Sequence, residues 1–124
     1  MAERASRTPV KLVVEGVGEA KGELVRILAP LTVGAILGKL PLKGRAHVRG
    51  GGLSMILGIR RGAEKAVRSV QAGDIVYWPM QDSLVVYFQN SKPYGPVNKV
   101  GNVSENLEIF QDLKMGARIR IEKI

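Results

Sequence analysis

Apolar and polar residues alternate with a period of two over much of the chain, and the alternating runs end at glycine or proline. Val10–Glu15 (VKLVVE) is rich in β-branched residues and stops at Gly16 and Gly18, which predicts a strand followed by a tight turn. Beyond the turn, Ala20, Gly22, Leu24, Arg26 and Leu28 alternate with Lys21, Glu23, Val25 and Ile27, so Glu19–Leu28 returns as the second strand of a hairpin. Leu42–Arg49 has the same period, with Lys43, Arg45, His47 and Arg49 on one face and Leu42, Ala46 and Val48 on the other. Gly50–Gly52 supplies the positive φ angles of a hairpin turn, and Leu53–Ile59 leads back as a strand. Gly73–Trp78 is a strand ended by Pro79, and Leu84–Phe88 follows the turn at Asp82 and Ser83. Ala117–Ile124 alternates as the last strand.

Two stretches change the period. Pro30 suits the first turn of a helix, and Leu31, Val33, Ala35, Ile36, Leu37 and Leu40 then make a short, mostly apolar helix that Pro41 stops. Apolar almost all round, it has to be covered, as a plug in a sheet structure would be. Ser104 suits an N-cap, with Leu107, Ile109, Phe110 and Leu113 at helical spacing and Gly116 as the stop. Arg60–Gln71 has the composition of a surface connection in which Ala63–Val70 holds a helical turn, and Asn90–Pro96 is a loop. Seven or eight strands without βαβ alternation, and with two helices, predict a mainly β fold: a closed antiparallel barrel with plugged ends. The 124 residues are one domain, with residues 1–8 as a flexible N-terminal tail and 9–124 as the barrel.

Composition removes several classes of chemistry. Without cysteine there is no disulfide, thiolate zinc site or cysteine nucleophile, and His47 alone cannot make a multi-histidine metal centre. No metal or other cofactor is expected. Leu24–Leu40 is 17 residues long but interrupted by Arg26, Pro30 and Lys39, so no membrane span is expected. Met1–Thr8 carries charge with no apolar core behind it, and a cytoplasmic location is expected. The net charge of +8 is unevenly spread: residues 39–68 hold eight cations against Glu64 alone.

That concentration points to polyanions or nucleic acid. Lys43, Arg45, His47 and Arg49, with Arg60 and Arg61, are the anion-binding candidates. On a strand, such side chains stand about 6.5–7 Å apart, comparable to successive phosphates on an extended single strand. No aromatic platform lies among residues 39–68 to stack bases. Five of the six aromatics fall between Tyr77 and Tyr94, and Tyr77, Trp78, Tyr87 and Tyr94, with Arg49, are candidates for a groove that takes a peptide or a flat ligand. His47 has neither an orienting carboxylate nor a nucleophile identifiable beside it, and Gly50–Gly52 lacks the lysine–serine ending of a phosphate loop.

GDIVYWP at Gly73–Pro79, LVVYF at Leu84–Phe88, KPYGPVNKVGNV at Lys92–Val103 and LEIFQDLKMG at Leu107–Gly116 occur in an order that resembles the small prokaryotic cyclophilin-like domains. Met80 stands where that family has a second proline, and a longer insertion near Tyr94 is absent. The resemblance covers residues 10–124 and implies a cyclophilin-type barrel of about eight strands with Pro30–Leu40 and Ser104–Leu113 as its two end helices. True cyclophilins isomerise X–Pro bonds with an arginine, a glutamine and an aromatic floor. Against their Gly-Ser-Gln-Phe-Phe stretch, Asp82–Val86 reads Leu84 for the glutamine and Val86 for an aromatic, while Arg45 or Arg49 could stand in for the arginine. The expectation is a non-catalytic module for a proline-containing peptide or small ligand. The alternatives are anion or nucleic-acid binding through residues 39–68, and weak peptidyl-prolyl isomerase activity.

Overall fold

The first two strands form the expected hairpin: β1 (Arg7–Val14) pairs with β2 (Gly18–Val25) over its full length. The computed structural model describes residues 6–111, 113 and 116–124, and Arg49 by its backbone alone. Arg7 and Thr8, at the end of the expected tail, already belong to β1 and pair with Val25 and Leu24. Along β1 and β2, Val10, Leu12, Val14, Ala20 and Leu24 point inward and are almost wholly buried, while Lys11, Lys21 and Glu23 stay outside. Burying each of the larger apolar side chains contributes about 1.5–3 kcal/mol.

A 3-10 turn (Arg26–Leu28) leads into an α-helix, α1 (Pro30–Leu37). Val33 and Ile36 bury themselves against one end of the barrel. No neighbouring side chain caps this helix. Glu64, some thirty residues on, supplies the cap: its carboxylate accepts hydrogen bonds from Leu31 N–H (3.0 Å), Thr32 N–H (2.8 Å) and Thr32 Oγ1 (2.7 Å).

β3 (Leu42–Arg45), β4 (His47–Arg49), β5 (Gly52–Ile56), β6 (Asp74–Trp78), β7 (Ser83–Tyr87), β8 (Asn98–Glu105) and β9 (Arg118–Lys123) complete the sheet, whose order is β3-β9-β1-β2-β8-β6-β7-β5-β4. All pairings are antiparallel. The two ends of that order, β3 and β4, are separated by Ala46 alone, whose N–H donates to Ala117 O (2.8 Å) and whose carbonyl accepts from Gly116 N–H (2.9 Å). One kinked strand thus pairs with β9 through its first half and β5 through its second, nearly closing the sheet into a barrel.

Two expectations are corrected. In place of a second helix over 104–113, β8 runs on through Glu105, and Leu107–Phe110 is a 3-10 turn that drives Phe110 into the barrel. Ser104 is no N-cap; its hydroxyl donates to Lys21 O across the β2–β8 pair. Of the remaining expected helix, position 112 lies outside the described residues. Ala63–Val70 contains no helical turn either, because its backbone bridges outward, Val67 to Val97 and Val70 to Ser91.

Those bridges lay Val67–Val70 beside the 88–97 loop on the outside of β6 and β7. Val70, Val76, Val85, Tyr87 and Val97 form a second apolar cluster there, outside the barrel. No helix among the described residues is long and apolar enough to cross a membrane.

The Glu64 cap makes stability acid-sensitive. Burial opposes its ionisation, but the bonds from Leu31 N–H, Thr32 Oγ1 and Thr32 N–H more than compensate and hold its pKa below 4.5. A depressed folded pKa gives stability that is complete above the unfolded value and lost as pH falls through the folded one. The melting temperature is expected to hold down to about pH 5 and to drop below it. Glu64→Gln should start lower and lose part of that drop; parallel melting curves of parent and variant from pH 7 to 3 would refute the linkage.

Candidate functional site

β5, β7 and β6 lie side by side, and the registers put Ser54, Val85 and Val76 in one outward row and Ile56, Ser83 and Trp78 in the next. Gly52 stands opposite Tyr87, and a methyl built on Gly52 would come within 2.9 Å of Val85 Cγ1 and 3.0 Å of Tyr87 Cδ1. Tyr87 and Val85 therefore lie down over a residue with no side chain. Gly52, Ser54 and Ser83 leave a trough, lined by Ser54, Trp78, Gln81, Ser83, Val85 and Tyr87. It opens into a hollow of about 470 Å³ walled by Trp78, Met80, Gln81, Tyr87, Pro93 and Tyr94, with Gly50 and Lys92 at its edge.

Three of the four aromatic candidates therefore meet. Tyr94 is 91% exposed at the mouth and Met80 67%, while Tyr87 is buried and forms the floor. Burial pushes the Tyr87 phenol pKa above its usual 10.0. The indole Nε1–H of Trp78 is buried without a hydrogen-bond partner, beneath Gly95. Ser54 and Ser83 hydroxyls are already committed to the carbonyls of His47 (3.3 Å) and Gln81 (2.9 Å).

Tyr77, the fourth candidate, is not in the groove. Neighbouring residues on a strand face opposite ways, so with Trp78 outside Tyr77 is inside and fully buried. Its hydroxyl donates to Asp82 Oδ1 (2.5 Å) and accepts from Arg61 N–H (3.1 Å). Burial and the bond to Asp82 raise its pKa above 10.0. Burial alone would raise the Asp82 pKa, but hydrogen bonds from Tyr77 and the backbone N–H groups of Arg60, Ile59 and Gly58 bring it below 3.8. Leu84 and Val86 also face the interior, so neither can stand at a groove position; the outward residues of β7 are Ser83, Val85 and Tyr87. Met80, Gln81 and Pro93 were not anticipated. The small residues at 50–54, opposite the aromatic run, are the sequence signal that could have outlined the trough.

The basic candidates separate. Lys43 and Arg45 line a hollow of about 500 Å³ together with Val13, Glu15, Gly44, Arg118, Ile119 and Arg120. His47 is exposed on β4, opposite Ser54, and Arg49 pairs through its backbone with Gly52. Arg60 and Arg61 are exposed on the loop that Asp82 and Tyr77 hold by its backbone, and they do not line the hollow.

An antiparallel barrel nearly closed through one kinked strand, capped by an apolar helix and carrying an aromatic groove on its outer wall, defines a cyclophilin-type barrel. The family model described as cyclophilin-like matches residues 8–122, and the chain belongs to that family. The solution structure of a hypothetical protein from Archaeoglobus fulgidus, AF2241, is similar at a TM-score of 0.83 and 24% identity over 100% of both chains. The structure of McbB in complex with tryptophan is similar at a TM-score of 0.75 and 17% identity, covering 91% of this chain and 44% of McbB. No protein of curated function matches the chain.

Proposed function

We propose that the protein is a non-catalytic binding module that takes a short proline-containing peptide or a small, mostly apolar ligand in the outer groove. The observation that carries this reading is the convergence of Trp78, Met80, Tyr87, Pro93 and Tyr94 around one hollow. Exposed apolar side chains gathered at a concave site mark binding surfaces. The chemistry speaks against hydrolysis or group transfer: the two serine hydroxyls are committed to backbone carbonyls, and the groove offers an amide in Gln81 and an ammonium in Lys92 but no nucleophile–base pair among its lining residues. McbB, which has a similar fold, was solved with tryptophan, so an aromatic amino acid belongs beside proline peptides among the ligands to try.

Trp78 is the only tryptophan, so its emission reports on the groove directly. A ligand that covers it should shift the emission to the blue in a saturable titration. Tyr94→Ala and Met80→Ala remove exposed side chains at the mouth and should each weaken binding about tenfold at unchanged melting temperature. Emission that neither Ala–Pro peptides nor aromatic amino acids move at millimolar concentration sinks the reading. New cis–trans exchange peaks from an Ala–Pro peptide with catalytic amounts of protein would make the groove an isomerase site instead.

A further inference from the structure

The hollow between β3 and β9 lies on a different part of the barrel wall from the groove, and its charges are arranged against the interest of folding. The register places Lys43 directly opposite Arg120 and Arg45 directly opposite Arg118. Like charges facing each other across a strand pair are destabilising, and β3 and β9 have two such pairs in succession. Little relieves them. Glu15 is the one carboxylate lining the hollow, and Glu122 is engaged by Lys11 (3.2 Å) and Arg120 (3.0 Å) on its border. Arg45 donates to the carbonyl of Gly116 (3.2 Å), and neither Lys43 nor Arg118 has an ion pair among the described residues. Cations brought together at a cost to stability are a mark of function.

We propose that this hollow is a second binding site, for the phosphodiester backbone of a single-stranded nucleic acid. The cations form two rungs, Lys43–Arg120 and Arg45–Arg118, two residues apart and so about 7 Å apart along the strands. One compact phosphate occupies one rung. A chain of phosphodiesters serves both, with one phosphate held between two cations at each step, and arginine supplies the forked donors that phosphate oxygens accept. No aromatic side chain lines the hollow, so the bases have no platform and the strand is held without being read. The site draws only Lys43 and Arg45 from the charge-rich segment and completes itself with Arg118 and Arg120 from the far end of the sequence.

The test is fluorescence anisotropy of labelled ten-residue oligodeoxynucleotides of several compositions across a salt series. Affinity is expected to be indifferent to base composition and to fall with salt on a log–log slope of about −1.4, for two neutralised phosphates. Lys43→Glu and Arg118→Glu each break one rung and should each lower affinity about tenfold and flatten the slope by about half. Arg118→Glu also turns a repulsive rung into an attractive one, so it should melt no lower than the parent, which separates lost binding from lost fold. The double variant Arg60→Glu/Arg61→Glu, which removes more charge elsewhere, should bind nearly as the parent does. Equal loss in that double variant, or full binding in Arg118→Glu, overturns the site. Tight binding of inorganic tripolyphosphate without binding of the oligonucleotides overturns the choice of ligand.

Discussion

Gly101→Ala should be the most damaging single methyl group that can be added to this protein. A Cβ built at Gly101 falls 2.0 Å from the carbonyl oxygen of Glu23 and 3.0 Å from its carbonyl carbon, and both are backbone atoms that cannot swing aside. The reciprocal contact exists one step along, where a methyl on Gly22 would meet the Asn102 carbonyl oxygen at 2.3 Å. β2 and β8 thus touch backbone to backbone at the point where their register shifts, between Lys21 and Gly22. Relieving the overlap means separating two paired strands of a nearly closed sheet. The expected cost is about 3 kcal/mol or more, or about 10 °C in melting temperature. A variant that melts within 2 or 3 °C of the parent would show that the barrel yields at this crossing (on the order of 0.5 kcal/mol). Ala20, two residues along β2, faces the core and offers no such test.

Asn98→Asp is the second. Asn98 is fully buried and ties three elements together: its Nδ2 donates to Gly62 O (3.0 Å) and Thr32 Oγ1 (3.2 Å), and its Oδ1 accepts from Glu64 N–H (2.8 Å). A carboxylate of the same size keeps the acceptor and loses both donors. It also sets an acid against the carbonyl of Gly62 and beside the residue whose own carboxylate caps α1. Unmatched buried groups cost about 1–3 kcal/mol each, more when charged, so a loss of about 3 kcal/mol is expected at neutral pH. The local effect should exceed the global one. Residues 57–70 carry Arg60, Arg61, Lys65 and Arg68, and with the latch gone trypsin should cut there well before it cuts the strands. Parent-like resistance to trypsin would mean that the bridges at Val67 and Val70 hold the segment without Asn98.

Which elements the sequence revealed depended on what covers them. β2 and β9 have one wet face and one dry one, so alternation gave their existence, while β1 was legible from its β-branched residues and the glycines that end it. β6 and β7 read as unbroken apolar runs because both faces are buried, the outer one against Val67, Val70 and Val97. The second helix was misread for a related reason: Leu107 and Phe110 are spaced alike for a 3-10 turn and for an α-helix. Asn106, at φ 62°, turns the chain between β8 and that 3-10 turn.

The groove was legible as an aromatic cluster, and alternation alone would have removed Tyr77 from it once Trp78 was placed outside. Charge was harder to read. Arg60 and Arg61 are near Lys43 in sequence, whereas Arg118 and Arg120 become its neighbours only through the β3–β9 pairing, more than seventy residues away. Glu64 hid its role in the same way, as a lone acid in a basic segment that caps a helix on the other side of three strands in the sequence.

The kinked strand through Ala46 also governs the order of events when the chain folds. β9 takes its place between β1 and β3, so the N-terminal hairpin and the β3–β4 strand can each form early but cannot close on one another. Pairing Leu42 with Ile121 joins residues almost eighty positions apart, the kind of contact that folds late and slowly. Until β9 arrives, β1 and β3 both present an unpaired edge, and β9 is the keystone that removes both at once.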